Sequence, residues 1–147
     1  MITQILGIAA TLFLMTGIVV AGETPAPEGA EVYFIGLQDG DTVSSPLTVR
    51  MGLRGMGVAP AGTEKENTGH HHLLVDRPPL GEGEDGKEEL EVSLPADENH
   101  IHFGGGQTET TIELSPGEHT LQLVLGDLNH VPHSPPIVTP QITVTVK

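Results

Sequence analysis

Eight histidines occur in this chain of 147 residues, and seven of them fall in three short blocks: His70-His71-His72, His100-Ile101-His102 and His130-Val131-Pro132-His133. On an extended strand residues i and i+2 face the same way, so His70 with His72, and His100 with His102, each present two imidazoles about 6–7 Å apart at Cβ. Transition metals bind imidazole nitrogen at about 2 Å, and two to four such nitrogens must converge on one point. Neighbouring strands would meet that requirement. The candidate ligands are therefore His70, His72, His100, His102, His130 and His133, and the candidate ions are copper and zinc. His71 alternates to the opposite face, with Leu73 and Val75, and reads as a buried, hydrogen-bonded neighbour of the site. His119 stands alone before Leu121 and reads as structural.

Other donors lie close to these blocks in the sequence. Asp127 is a candidate oxygen ligand, or an acceptor that fixes an imidazole tautomer. Met56, set between two glycines, offers a thioether that would favour Cu(I), whereas Met51 keeps phase with Val49 and Leu53 and reads as core. Gln107 and Glu109 follow the turn Gly104-Gly105-Gly106 and could add polar contacts to whatever the site holds. The chain has no cysteine. Thiolate ligands and disulfides are thereby excluded, and a metal must be held by nitrogen, oxygen or thioether.

The elements that would position these residues are strands. Apolar residues alternate at Val32 and Phe34, at Leu47, Val49, Met51 and Leu53, at Leu121, Leu123 and Leu125, and at Ile142, Val144 and Val146. Period-two alternation bounded by Gly, Pro, Asp and Ser is the pattern of half-buried strands. It predicts strands near 31–37, 47–54, 69–75, 99–103, 109–114, 118–126 and 140–146, with a short extra one at 89–94. The expected fold class is all-β, an immunoglobulin-like two-sheet antiparallel β-sandwich. Residues 55–69 and 76–89, rich in small and charged residues, read as surface loops. With Tyr33, Phe34 and Phe103 as the aromatics of the domain, no platform for stacking bases or sugars is expected.

Residues 1–21 carry no charged side chain and end in Val19-Val20-Ala21, the pattern of a signal peptide cleaved after Ala21. Residues 22–29, with Pro25 and Pro27, read as a flexible leader, and the domain is expected over 30–147. The formal charge of −14 falls entirely after Ala21. Such a surface repels phosphate backbones and anionic lipid, so neither nucleic acid nor, after cleavage, a membrane is an expected partner.

The blocks Gly69 to Asp76, Asn99 to Glu109 and Leu125 to His133, with the stretch Gly55 to Gly62, resemble a bacterial family of exported domains of unknown function. The resemblance covers about residues 32–146 and implies export and one small β domain. It carries no activity. The function expected from the histidines is a periplasmic or secreted metal-binding protein, for copper before zinc, in storage, delivery or tolerance. A second reading is a non-catalytic envelope module whose histidines form a structural network and whose loops bind an envelope protein. A metal-dependent hydrolase with Glu109 or Asp127 as base ranks last, because no nucleophile or zinc-hydrolase motif is present.

Overall fold

The computed structural model describes residues 24–147; the expected signal peptide and its cleavage point lie outside the described residues. Nine strands follow one another: β1 Glu31–Phe34, β2 Thr42–Val43, β3 Leu47–Arg54, β4 Gly57–Val58, β5 Thr68–Val75, β6 His100–His102, β7 Glu109–Ile112, β8 Gly117–Gly126 and β9 Ile142–Val146. One sheet has the order β1-β3-β7. The other has the order β2-β9-β8-β5-β4, with β6 also pairing with β5. The described residues are thus all-β with two sheets, mostly antiparallel; β2 with β9, and β4 with β5, are parallel pairs.

Alternation explains the core. Val32, Val49 and Met51 from the first sheet meet Leu73, Val75, Leu121, Leu123, Leu125 and Val144 from the second. At roughly 25 cal/mol per Å² of apolar surface removed from water, this mutual burial is the main stabilising term. The extra strand expected at 89–94 does not form. A short 3-10 turn, Gly86–Leu90, stands there instead. Its Glu89 is buried, with one carboxylate oxygen paired to Arg77 and the other accepting the Gly81 amide. Strand alternation cannot compete once those polar groups are satisfied inside a loop. Among the described residues no helix is long and apolar enough to cross a membrane.

The 24–29 part of the expected leader is tied to the domain at its start. Ser134 N–H donates to the Thr24 carbonyl at 2.9 Å, and Ala26 N–H donates to the Ser134 carbonyl at 3.0 Å.

At the far end of β8, His119 joins two strands. Nδ1 donates to the Asp76 carboxylate at 2.7 Å and Nε2 to the Ser115 carbonyl at 2.8 Å, while Asp76 also accepts the Thr120 amide at 3.0 Å. Ser115, His119 and Asp76 thus follow one another like a nucleophile, base and acid. However, Nε2 directs its proton at a carbonyl, so no lone pair faces the Ser115 hydroxyl. The hydrogen bonds to Asp76 and Ser115 raise the His119 pKa above its ordinary value. A raised folded-state pKa stabilises the fold fully below about pH 6.5, and that stability is lost as pH rises through the folded value. Replacing His119 by Gln should therefore destabilise the protein by about 1 kcal/mol or more at pH 5.5, and by less at pH 8.5. Urea denaturation at the two pH values measures both differences; equal losses would contradict the charged clamp.

Candidate metal centre

The register of the larger sheet brings the histidine blocks together. Within β5, His71, Leu73 and Val75 face the core, so His70, His72 and Leu74 face outward. His72 pairs with His102 of β6, and Leu74 pairs with His100. Directly opposed Cβ atoms in an antiparallel pair are about 4.5–5.5 Å apart, so His102 lies within reach of His72. On the other side β8 presents Gly126 opposite His70 and Val124 opposite His72. The chain then turns back through residues 127–131 over this outer face, carrying His130 with a φ of 67°. A non-glycine residue rarely adopts that left-handed conformation, and here it is held by its surroundings.

Asp127 makes that turn. One carboxylate oxygen accepts the amides of Asn129 and Val131, at 2.8 and 3.0 Å, and the other accepts the Thr24 hydroxyl at 2.7 Å. Two glycines leave room for the rings. A Cβ on Gly126 would sit 2.7 Å from His72 Nε2, and one on Gly104 would sit 2.4 Å from His102 Cε1.

His70, His72, His102 and His130 converge: one ring nitrogen from each lies within 4.8 Å of the others, close enough to bind a metal ion. His70 Nε2 is 3.0 Å from His72 Nε2 and 3.1 Å from His130 Nδ1. A neutral ring nitrogen carries either one hydrogen or one lone pair, so two ring-nitrogen contacts at the same atom cannot both be good hydrogen bonds. A cation placed between the nitrogens accepts all their lone pairs. Zn–N bonds of about 2 Å arranged tetrahedrally would set the nitrogens roughly 3.3 Å apart, near these two separations.

The four rings also differ in exposure. His70 and His72 are fully buried on the rigid strand, whereas His102 and His130 are half-buried. Burial, followed by the neighbouring His130 and His102, lowers the His70 pKa to about 4. Burial, followed by His70 and His100, lowers that of His72 to about 2. Burial lowers His102 as well. These three imidazoles are therefore neutral at pH 7 and offer lone pairs without first losing a proton.

The structure places the remaining expected residues outside this group. His100 is buried beside His72, but its Nδ1 accepts from the Arg77 guanidinium at 3.0 Å, which commits that lone pair and puts a positive charge beside it. Burial and Arg77 together lower its pKa to about 4. His133 is buried with Nδ1 donating to the Leu125 carbonyl at 3.3 Å. His71 is buried on the core face; burial lowers its pKa, opposed by hydrogen bonds to the Gly52 and Gln107 backbone. Asp127 holds the turn rather than joining the four donors. Met56 packs against the main core, Gln107 accepts the Gly105 amide, and Glu109 pairs with Arg50 on the exposed face.

Sequence reasoning missed Arg77, Thr24 and Gly126 as working parts, and read Gly104 as part of a turn beside the histidines. Gly126 had the clearest signal: it ends β8 directly before Asp127, where a glycine marks a close approach by another group. Arg77 and Thr24 had none, since each meets its partner across a distance in sequence.

Residues 49–147 match the model of a family described as Domain of unknown function (DUF4399). No curated protein and no solved structure matches the chain.

The glycine geometry is directly testable. Gly126→Ala should destabilise the protein by about 1–3 kcal/mol, the usual range for overpacking, because the new methyl group meets a ring locked on a paired strand. Gly57→Ala should change stability by less than about 1 kcal/mol, since its nearest neighbour would be at an ordinary 3.5 Å. Denaturant midpoints for the two variants check the contrast.

Proposed function

The chain belongs to this family of domains of unknown function, and we propose that it is an exported transition-metal-binding protein whose His70, His72, His102 and His130 hold the ion. The reading rests on one observation: four imidazole donors converge within 4.8 Å, and His70 makes ring-nitrogen contacts that hydrogen bonds alone cannot satisfy. Four neutral nitrogen donors without thiolate suit Cu(II) or Zn(II), and copper stands above zinc in intrinsic affinity for nitrogen sites. The signal-like residues 1–21 support a periplasmic or secreted setting, where the protein would store, deliver or sequester copper. The hydrolase alternative has less support, since Glu109 pairs with Arg50 on an exposed face and Asp127 already accepts three hydrogen bonds. The charge of −14 favours approach of cations from solution.

Protein purified without a histidine tag, stripped and titrated calorimetrically at pH 7, should take up one Cu(II) or Zn(II) per chain. Saturation at about 100 times Kd should add about 2.7 kcal/mol to the unfolding free energy. His70→Ala, His72→Ala and His102→Ala should each lower affinity by more than about 10-fold, whereas His119→Gln should leave it unchanged. Absence of saturable uptake by well-folded protein, or equal small effects at all four positions, would overturn the assignment and favour the envelope-module reading.

A further inference from the structure

The metal reading places His130 among four donors, but His130 differs from the other three in how it is held. His70, His72 and His102 sit on paired strands, where backbone hydrogen bonds fix their Cα positions. His130 sits in a turn, in a left-handed conformation, and depends on what holds that turn. Inside the turn are the Asp127 carboxylate and the bond from His130 N–H to the Asp127 carbonyl at 3.0 Å. Outside it, the Gly62 and Leu94 amides donate to the Leu128 and His130 carbonyls, each at 2.9 Å, and the N-terminal segment alone reaches the Asp127 carboxylate. Thr24 Oγ1 donates to Asp127 at one end of the loop, and Thr24 and Ala26 exchange backbone bonds with Ser134 at the other.

On that reading, we propose that Thr24 is a positioning residue of the metal site: with Ala26 it straps the 127–134 loop at both ends, and through Asp127 it sets where the His130 ring stands. The physical chain is short. The Thr24 hydroxyl satisfies the Asp127 oxygen that faces away from the turn, and this keeps the second oxygen aimed at the Asn129 and Val131 amides. Those two bonds define the turn that carries His130 to within 3.1 Å of His70. Without the hydroxyl, the buried Asp127 carboxylate is left with an oxygen lacking its partner, an expensive state relieved by shifting the carboxylate, and the turn loosens. The three strand ligands remain, so the ion is held less tightly and the coordination changes. A mature chain with residues 24–26 docked and one with them displaced therefore bind the same metal with different affinity.

The test uses full-length purified protein and three variants: Thr24→Val, which keeps the shape and removes the hydroxyl; Thr24→Ser, which keeps the hydroxyl; and His130→Ala. Zn(II) affinity is measured by competition with a chelator, and coordination by the visible absorption of the Co(II)-loaded protein. Thr24→Val should weaken Zn(II) binding 10- to 100-fold, the usual range for groups that orient a ligand, and should change the Co(II) spectrum toward that of His130→Ala. Thr24→Ser should restore both. In the His130→Ala background, Thr24→Val should have no further effect, since its action passes through His130. A Thr24→Val protein with unchanged affinity and spectrum overturns the strap, as does a loss that adds fully to that of His130→Ala. If the unaltered protein binds neither Zn(II) nor Co(II), the metal reading itself fails, and the inference fails with it.

Discussion

His70, His71 and His72 lie side by side in the middle of a strand with both faces covered, and all three are fully buried. Each ring nitrogen withdrawn from water without a partner costs about 1–3 kcal/mol. One buried ring nitrogen each of His70, His72, His100 and His102 has no hydrogen-bond partner among the described residues. A soluble domain has a net stability of only about 5–15 kcal/mol, so this is a heavy concentration of uncompensated polarity in one small region. Leucine or valine at the same places would pack at least as well. The architecture around β5 is organised to bury imidazoles, and the two sheets, the 127–131 turn and the glycines at 104 and 126 all serve that arrangement.

The two faces of β5 carry different burdens. On the core face Leu73 and Val75 join both sheets in the main apolar cluster. On the outer face Leu74 forms a smaller cluster with Leu94 and Val124, which the 76–98 connection covers. The histidine group begins where that apolar cover ends. Leu94 N–H donates to the His130 carbonyl at 2.9 Å, so the cover and the histidine turn are fastened to one another. A single outer face thus passes within two residues from a sealed apolar patch to a group of imidazoles, of which His102 and His130 are half-buried.

Local pattern made the strands legible, because alternation is a property of neighbouring residues. The segments around β3, β5, β8 and β9 could be placed from Val49-Met51, Leu73-Val75, Leu121-Leu125 and Val144-Val146 alone, and the i, i+2 spacing put His70 and His72 on one face. Which histidine of the second block joins them depends on register across strands. Since β6 pairs His102 with His72, His100 falls opposite Leu74 and within reach of Arg77. Nothing in the local sequence encodes that offset. The same limit applies to Thr24 with Asp127, to the 3-10 turn where a strand was expected at 89–94, and to the short parallel pairs made by β2 and β4. Each is decided by partners far along the chain, where tertiary hydrogen bonds and buried charge outweigh local propensity.

Charge sets the final condition on the site. Four imidazoles contribute no negative charge, so a divalent ion held by them would keep its full charge close to buried apolar surface, an expensive arrangement unless an anion stands nearby. Asp127 is that anion. Its influence reaches the group, since its charge opposes the lowering of the His70 pKa, yet its oxygens are occupied by Thr24 and the turn amides rather than free to coordinate. A carboxylate held at that remove can balance an ion without binding it, while the two half-buried rings leave one side of the group accessible to water. On the proposed metal reading, neutral donors, a fixed counter-charge and two half-buried rings suit an ion that is held and can still be exchanged.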